Sequence, residues 1–404
     1  MKKGKRKKWM RFRHRVVRNV AYAVLYPYTR IKYGFKPQRF KEQGGRQYLI
    51  LLNHQTPFDQ FFVGMCFKGP VYYLATEDIF SKGFVSSAIR WLIAPIPIKK
   101  QTTDASAVIN CLRVAREGGT ICIAPEGNRT YSGRTEYMSP TIAPLARRLK
   151  LPIAIYRIEG GYGAEPRWSD VVRKGKVRGY VSRVIEPEEY ALMSDDELYD
   201  AIRTELFVDE AVADMEFRHK RSAEYLERVM YVCPKCGLSE FESHKDTAHC
   251  KKCGLSLRYM PDKTLLGTDG AFPFRFLADW YDYQKDYINS LSPEDMGDDV
   301  LYTDKASLIR VIPYEKKEVV SKDALFRLYR DRVEIEMGRE LKTLHFDEIS
   351  TAAALGRNKL NLYHGDDIWQ VKGDKRFNPV KYVNLYYRYA NIQKGDENGK
   401  FLGL

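Results

Sequence analysis

A chain of 404 residues with 44% hydrophobic and 29% charged content is long enough for two or three packed domains, and too ordinary in composition to be fibrous or intrinsically disordered. Its formal net charge of +15 belongs to one end: residues 1–40 hold fourteen Lys or Arg and no Asp or Glu, whereas the other 364 hold 53 basic and 52 acidic residues. A nearly neutral body argues against a nucleic-acid binder, and no nucleic acid is expected as a partner.

The basic arm, residues 1–39, runs from Lys2 through Lys8 and Arg11 into Val16, Val17, Val20, Val24, Leu25 and Tyr26. Basic residues followed by apolar ones at roughly helical spacing favour an anionic phospholipid surface, each basic residue adding about 1 kcal/mol. The apolar run is interrupted by Arg18 and Pro27, so it is too short to span a bilayer, which needs about 20 apolar residues. No small-residue cleavage site follows it, which argues against a secretory leader. The expected placement is therefore peripheral or monotopic, on the cytoplasmic face of the cell membrane. A solvated tail or a nucleic-acid arm is the alternative reading of this segment alone.

After the arm, strand-like runs alternate with helix-like ones. Tyr48–Leu52 is a short apolar strand. Thr56 and Pro57 suit the cap and first position of a helix ending near Gly69. Val71–Ala75, Thr120–Ala124, Pro152–Arg157 and Val177–Val184 are further strands. Asp104 opens a helix through Arg116, and Ser139-Pro140 opens one through Lys150. This alternation predicts an α/β fold with a mostly parallel sheet flanked by helices. Residues 186–230 read as helical, with a capping box at Ser194–Glu197.

Of the seven cysteines, Cys66, Cys111 and Cys122 sit singly in apolar surroundings and read as buried thiols. The other four form two knuckles, Cys233-x-x-Cys236 and Cys250-x-x-Cys253, within a ribbon at 231–258. Four thiolates at this spacing predict a tetrahedral zinc with no open position, hence a structural ion, and a reducing compartment. Residues 259–300 form an aromatic helical linker. From 301 to 404 alternating strands precede a last helix opened by Asn378-Pro379. That pattern of antiparallel strands and one helix resembles the pleckstrin-homology or GRAM superfold, and makes this an α+β domain.

The chemistry concentrates in two strings that each follow a buried strand. The first, Asn53-His54-Gln55-Thr56-Pro57-Phe58-Asp59, places an imidazole in the turn leaving a strand and a carboxylate in the first turn of a helix. If the chain folds back, Asp59 holds one ring nitrogen of His54 and the other is left to accept a proton. The second, Pro125-Glu126-Gly127-Asn128-Arg129-Thr130, offers a backbone that a ligand can approach and a guanidinium suited to phosphate. Lys99 and Lys100 end another strand-like run and would add positive charge. A proton acceptor, an orienting carboxylate and an anion clamp are what transfer of an acyl group to the hydroxyl of a phosphorylated acceptor requires. No Ser or Cys adjoins His54, so a covalent acyl-enzyme is not expected.

These strings resemble the glycerophospholipid acyltransferase family, typified by 1-acyl-glycerol-3-phosphate acyltransferase. Its first block, Asn-His-x4-Asp, is matched by Asn53, His54 and Asp59. Its second aligns with Ala94–Lys100, its third with Ala124–Thr130 and its fourth with Leu151–Ile155. Lys100 stands where the family usually has Arg, Asn128 where it has Thr, and Ala124 where it has Phe. The resemblance covers roughly residues 40–200, within an acyltransferase domain at 40–230 that includes the helical extension. It implies His54 as general base, Asp59 as its orienting partner, and acceptor contacts from Lys99, Lys100, Glu126, Gly127, Asn128 and Arg129. The implied donor is acyl-CoA or acyl-carrier protein. The implied acceptor is a lysophospholipid, with 1-acyl-glycerol-3-phosphate giving phosphatidic acid. No catalytic cofactor is implied. A different lyso-acceptor, or an inactive lipid-binding scaffold of the same fold, is the alternative. The zinc ribbon and the C-terminal domain lie outside the resemblance.

Overall fold

The computed structural model describes residues 8–80, 83–98, 105–292, 296–312, 317–396 and 399–402. Lys99, Lys100 and the helix cap read at Asp104 lie outside the described residues. The chain packs as two compact units that do not follow one cut in the sequence. The first comprises residues up to Gly127, Thr135–Gly161 and Lys176–Asp209; the second comprises Asn128–Arg134, Tyr162–Gly175 and Glu210–Leu404.

The first unit begins with α1 (Phe12–Tyr33), which contains Pro27 in its interior. It stops at Gly34, whose left-handed backbone returns its N–H to the carbonyls of Arg30 and Thr29. Seven strands follow: β1 (Lys36–Pro37), β2 (Leu49–Leu52), β3 (Val71–Thr76), β4 (Ile96–Ile98), β5 (Thr120–Ile123), β6 (Ile153–Glu159) and β7 (Arg178–Ile185). They form one sheet in the order β1-β7-β6-β2-β5-β3-β4. Every neighbouring pair is parallel except β6 and β7. All four residues of β2 are buried, as the unbroken Leu-Ile-Leu-Leu run requires of a strand covered on both faces.

The longer helices of this unit are α2 (Asp59–Cys66), α3 (Phe84–Ile93), α4 (Ala105–Arg116), α5 (Ile142–Leu149) and α6 (Asp195–Leu206). One core joins Leu49, Leu51, Ile121 and Ile153 of the sheet to Val114 of α4, Ala143 of α5 and Ile202 of α6. Burying each of the large aliphatic side chains stabilises the fold by about 2 kcal/mol. The capping box opening α6 is formed on both sides: Ser194 Oγ accepts from Glu197 N at 3.1 Å, and Glu197 Oε2 accepts from Ser194 N at 2.7 Å.

Two expectations are corrected here. The helix after His54 starts at Asp59, not at Pro57, because the Asp59 carboxylate turns back onto the N–H groups of Gln55 and Thr56 and holds the intervening residues in a turn. Beyond α6, residues 207–230 are mostly irregular rather than helical, with a single short 3-10 turn at Leu226–Arg228.

The second unit holds β8 (Val232–Cys233) paired with β9 (Gly237–Leu238), and a four-stranded antiparallel sheet of β10 (Phe241–His244), β11 (Thr247–Cys250), β12 (Ser256–Tyr259) and β13 (Leu265–Gly267). After α7 (Leu277–Ser290) come β14 (Tyr302–Val311), β15 (Glu318–Leu328), β16 (Arg332–Met337), β17 (Glu340–His345), β18 (Ile349–Leu355), β19 (Lys359–His364) and β20 (Asp367–Gly373), then α8 (Pro379–Gln393). These seven strands make one antiparallel sheet, ordered β17-β16-β15-β14-β20-β19-β18. The aromatic helix α7 packs into the core of this unit: Trp280 is fully buried and donates from Nε1 to the Val232 carbonyl at 2.9 Å.

Candidate active site

The parallel register of β2 beside β5, with Leu51 opposite Ile123, brings the carboxyl ends of both strands together. This is where open α/β sheets place their ligands. Leaving β2, Asn53 is buried and bridges to the backbone of Ile158 in β6. Its Nδ2 donates to the Ile158 carbonyl at 2.8 Å, and its Oδ1 accepts the Ile158 N–H at 2.7 Å. The amide thus prolongs the strand pairing by one rung and fixes the direction in which the next residue leaves.

That residue is His54. Its Nδ1 lies 2.7 Å from Asp59 Oδ2. Asp59 is 1% exposed and its carboxylate also accepts from Gln55 N at 2.7 Å, Thr56 N at 3.0 Å and Thr56 Oγ1 at 2.6 Å. An acceptor saturated by donors on every other side must also be met by a donor from the ring. Nδ1 therefore carries the hydrogen and Nε2 carries the lone pair. The His54 side chain keeps 27% of its exposure, and no described residue hydrogen-bonds Nε2.

Glu126, leaving β5, is a second support. Its Oε1 accepts the backbone N–H of His54 at 2.8 Å and its Oε2 accepts the N–H of Glu136 at 2.9 Å. Burial pushes this carboxyl up to about 8. The two N–H donors pull against that rise, and the nearby charges of Glu136 and Asp59 add to it. Both oxygens are thus engaged in holding the chain that carries His54. Gly127 follows in the left-handed region, φ +70°, with its N–H bonded to the Ala124 carbonyl at 2.9 Å. No described atom lies within 4 Å of where a Cβ would stand, so the turn, rather than crowding, demands glycine.

Asn128 and Arg129 belong to the second unit. The Arg129 carbonyl accepts from Arg167 Nη1 at 2.9 Å. Thr130 Oγ1 accepts the Gly133 N–H at 2.9 Å, and the Gly133 carbonyl accepts from Glu210 N at 3.0 Å. Tyr131 is 1% exposed and joins the core of this unit.

The four knuckle cysteines converge. Their sulfurs all lie within 4.8 Å of one another, with Cys233–Cys253 and Cys236–Cys250 each at 3.6 Å. A tetrahedral ion with about 2.3 Å metal–sulfur bonds needs sulfurs about 3.8 Å apart, so the set fits one. Gly237 and Gly254, each directly after a knuckle, share φ +75° and turn the chain around the sulfurs. Ser239 Oγ lies 3.0 Å from Cys250 Sγ and would orient that ligand. Such a set could bind a metal such as zinc, leaving no position for substrate. Cys66, Cys111 and Cys122 are buried, and burial pushes the Cys66 and Cys111 thiols up to about 12. Buried thiols held in the protonated form are poor nucleophiles at neutral pH.

The bridging of Asn53 to Ile158, the hydrogen bond of Thr56 to Asp59, the contacts of Arg167 and the contact between Glu126 and the His54 backbone are not legible in the sequence. Asn53 and Thr56 lie inside the first string and were open to suspicion. Nothing in the local sequence marks Arg167.

Residues 34–158 match the family model described as Acyltransferase. No curated protein matches the chain. Twenty-two chains of solved structures do. One is the 1-acyl-sn-glycerophosphate (LPA) acyltransferase PlsC from Thermotoga maritima, which is 17% identical with a TM-score of 0.37, over 47% of this chain and 74% of that one.

Proposed function

We propose that this chain, which carries an acyltransferase domain over residues 34–158, is a membrane-surface O-acyltransferase that esterifies the free hydroxyl of a lysophospholipid, 1-acyl-glycerol-3-phosphate above all, to give phosphatidic acid. The donor is an acyl thioester, acyl-CoA or acyl-carrier protein. The observation that carries the reading is the 2.7 Å bond from His54 Nδ1 to a buried Asp59, which leaves Nε2 as a base at the carboxyl end of a central strand.

In the reaction, Nε2 takes the proton of the acceptor hydroxyl as its oxygen attacks the thioester carbonyl. A C–O bond forms. The C–S bond breaks with its electron pair going to sulfur, and the imidazolium returns the proton to the leaving thiolate. Asp59 stabilises the transient imidazolium and prevents the ring from rotating. Glu126 fixes the height of the His54 backbone. The loop of Gly127, Asn128 and Arg129, together with Lys99 and Lys100, is assigned to the acceptor phosphate, Arg129 contributing a bidentate fork.

Attachment to the bilayer is assigned to α1 and α3. Phe12, Val16, Val20, Val24 and Ile31 of α1 are exposed, Ile31 at 85%. The adjacent α3 exposes Phe84 at 86%, with Val85 and Trp91. The two helices are joined by Arg13, whose Nε donates to the Trp91 carbonyl at 2.7 Å. An exposed apolar stripe amid basic residues suits insertion to the acyl boundary of an anionic membrane. Among the described residues no helix is long and apolar enough to cross a membrane. The proposed location is the cytoplasmic face, and the four cysteines are proposed to hold a structural zinc.

The test is lipid product analysis with one acyl-CoA and a panel of lyso-acceptors, comparing wild type with His54→Ala. Loss of all acyl transfer with zinc content retained is the expected result. Wild-type turnover in His54→Ala refutes the mechanism, and an inactive wild type refutes the proposed activity on these lipids.

A further inference from the structure

We propose that Arg167 is a positioning residue for the loop that carries Arg129, so that the C-terminal sheet sets how tightly a phosphorylated acceptor is held. The inference rests on the assignment of Arg129 to the acceptor phosphate.

Arg167 is 2% exposed, yet its three nitrogens each donate to a backbone carbonyl. Nη1 bonds Arg129 O at 2.9 Å, Nη2 bonds Ala354 O at 3.1 Å and Nε bonds Gly356 O at 3.2 Å. Ala354 is the penultimate residue of β18, and Gly356 opens the turn into β19. One guanidinium thus bridges the Arg129 main chain to a hairpin of the C-terminal sheet. Its plane also lies 4.1 Å over the ring of Tyr131, two residues beyond Arg129. A planar fork can serve three carbonyls and a ring face at once; an ammonium cannot.

The segment supplying Arg167 is itself clamped. Arg228 Nη1 donates to the Trp168 carbonyl at 3.0 Å and pairs with Asp170 at 2.9 Å. The Trp168 ring meets Tyr259 of β12 edge to face, with centroids 5.7 Å apart. Arg173 lies over both rings, 4.9 Å from Trp168 and 4.6 Å from Tyr259. Farther along the Arg129 loop, Gly133 leaves no room for a side chain, since a Cβ would stand 2.8 Å from the Tyr162 ring. Arg134 is held by Asp279 at 2.8 Å and Asp282 at 2.6 Å. The loop is fixed downstream by these contacts, and at Arg129 by Arg167. Burying a full guanidinium is costly unless its nitrogens are hydrogen-bonded, and all three nitrogens of Arg167 are. The expense is borne where the chain must hold one particular loop shape.

The test compares full-length wild type, Arg167→Met, Arg167→Lys, Arg129→Ala and the Arg129→Ala/Arg167→Met double variant. Thiol release from acyl-CoA is followed with 1-acyl-glycerol-3-phosphate and with the matching monoacylglycerol. Arg167→Met and Arg167→Lys should raise KM for the phosphorylated acceptor about tenfold, the equivalent of ~1.4 kcal/mol, with kcat within about twofold. The monoacylglycerol rate should be unmoved, and the double variant should be no worse than Arg129→Ala. An unchanged KM, additive effects, or an equal loss on both acceptors overturns the proposal. If Arg167→Met does not fold, Arg167→Lys and backbone hydrogen exchange over residues 128–134 decide: faster exchange with raised KM supports it, and unchanged exchange overturns it. If Arg129→Ala itself leaves the phosphorylated-acceptor KM untouched, the parent assignment of Arg129 has failed, a result distinguishable from failure of Arg167 alone.

Discussion

Asp59→Asn is the most searching perturbation of the catalytic proposal. The carboxylate accepts from four donors: the His54 ring, the N–H groups of Gln55 and Thr56, and the Thr56 hydroxyl. An amide has one accepting oxygen, which serves at most two of them, and its NH2 then faces donors. Two lost bonds to a charged acceptor, at about 1.5–3 kcal/mol each, put the stability loss at roughly 3–6 kcal/mol. The chemical effect should be larger. An NH2 opposite Nδ1 draws the lone pair to that nitrogen and places the hydrogen on Nε2, so the ring meets the acceptor hydroxyl as a donor rather than a base. The same exchange behind a triad histidine lowers turnover about 10⁴-fold, or ~5.5 kcal/mol of barrier. Thiol release with acyl-CoA and 1-acyl-glycerol-3-phosphate measures it, with circular dichroism and zinc content as controls for folding. A folded Asp59→Asn variant within tenfold of wild-type kcat would show that the tautomer of His54 does not govern the reaction.

Three further outcomes are expected. Glu126, raised to about 8, keeps its proton in the folded chain between its ordinary 4.5 and about 8, whereas the unfolded chain has released it. Stability contributed by that proton is full below pH 4.5 and is lost as pH rises to about 8, so Tm followed from pH 5 to 8.5 should fall more steeply in wild type than in Glu126→Gln; parallel curves would refute the raised carboxyl. Gly127→Ala should lose only about 1–2 kcal/mol in urea unfolding, the strain of a left-handed alanine in open space, whereas Gly133→Ala should lose clearly more because Tyr162 blocks its Cβ; equal losses would contradict the packing. Cys250→Ser should lower the metal content below that of wild type and reduce Tm, as read by elemental analysis and calorimetry, and a variant with undiminished metal would show that the four sulfurs are not the ligand set.

Features settled within a few residues of contact were legible in the chain alone. Unbroken apolar runs became the buried parallel strands. Ser194 and Glu197 closed their capping box, and the knuckle spacings brought four sulfurs together. The turn between His54 and Asp59 folded back because strand, turn and helix are adjacent in the chain. Short-range geometry leaves few alternatives at such places. Tertiary structure alone decided which backbone groups the buried side chains would serve. Asn53 reaches Ile158 across 105 residues, Glu126 reaches the His54 N–H across 72, and Arg167 reaches Gly356 across 189. It also drew residues 128–134 and 162–175 out of the chain segment around them and into the C-terminal unit. The physical reason is that a backbone carbonyl or N–H is identical at every residue. A sequence shows which side chains can donate or accept, but only the packed chain shows which of hundreds of equivalent partners stands within 3 Å.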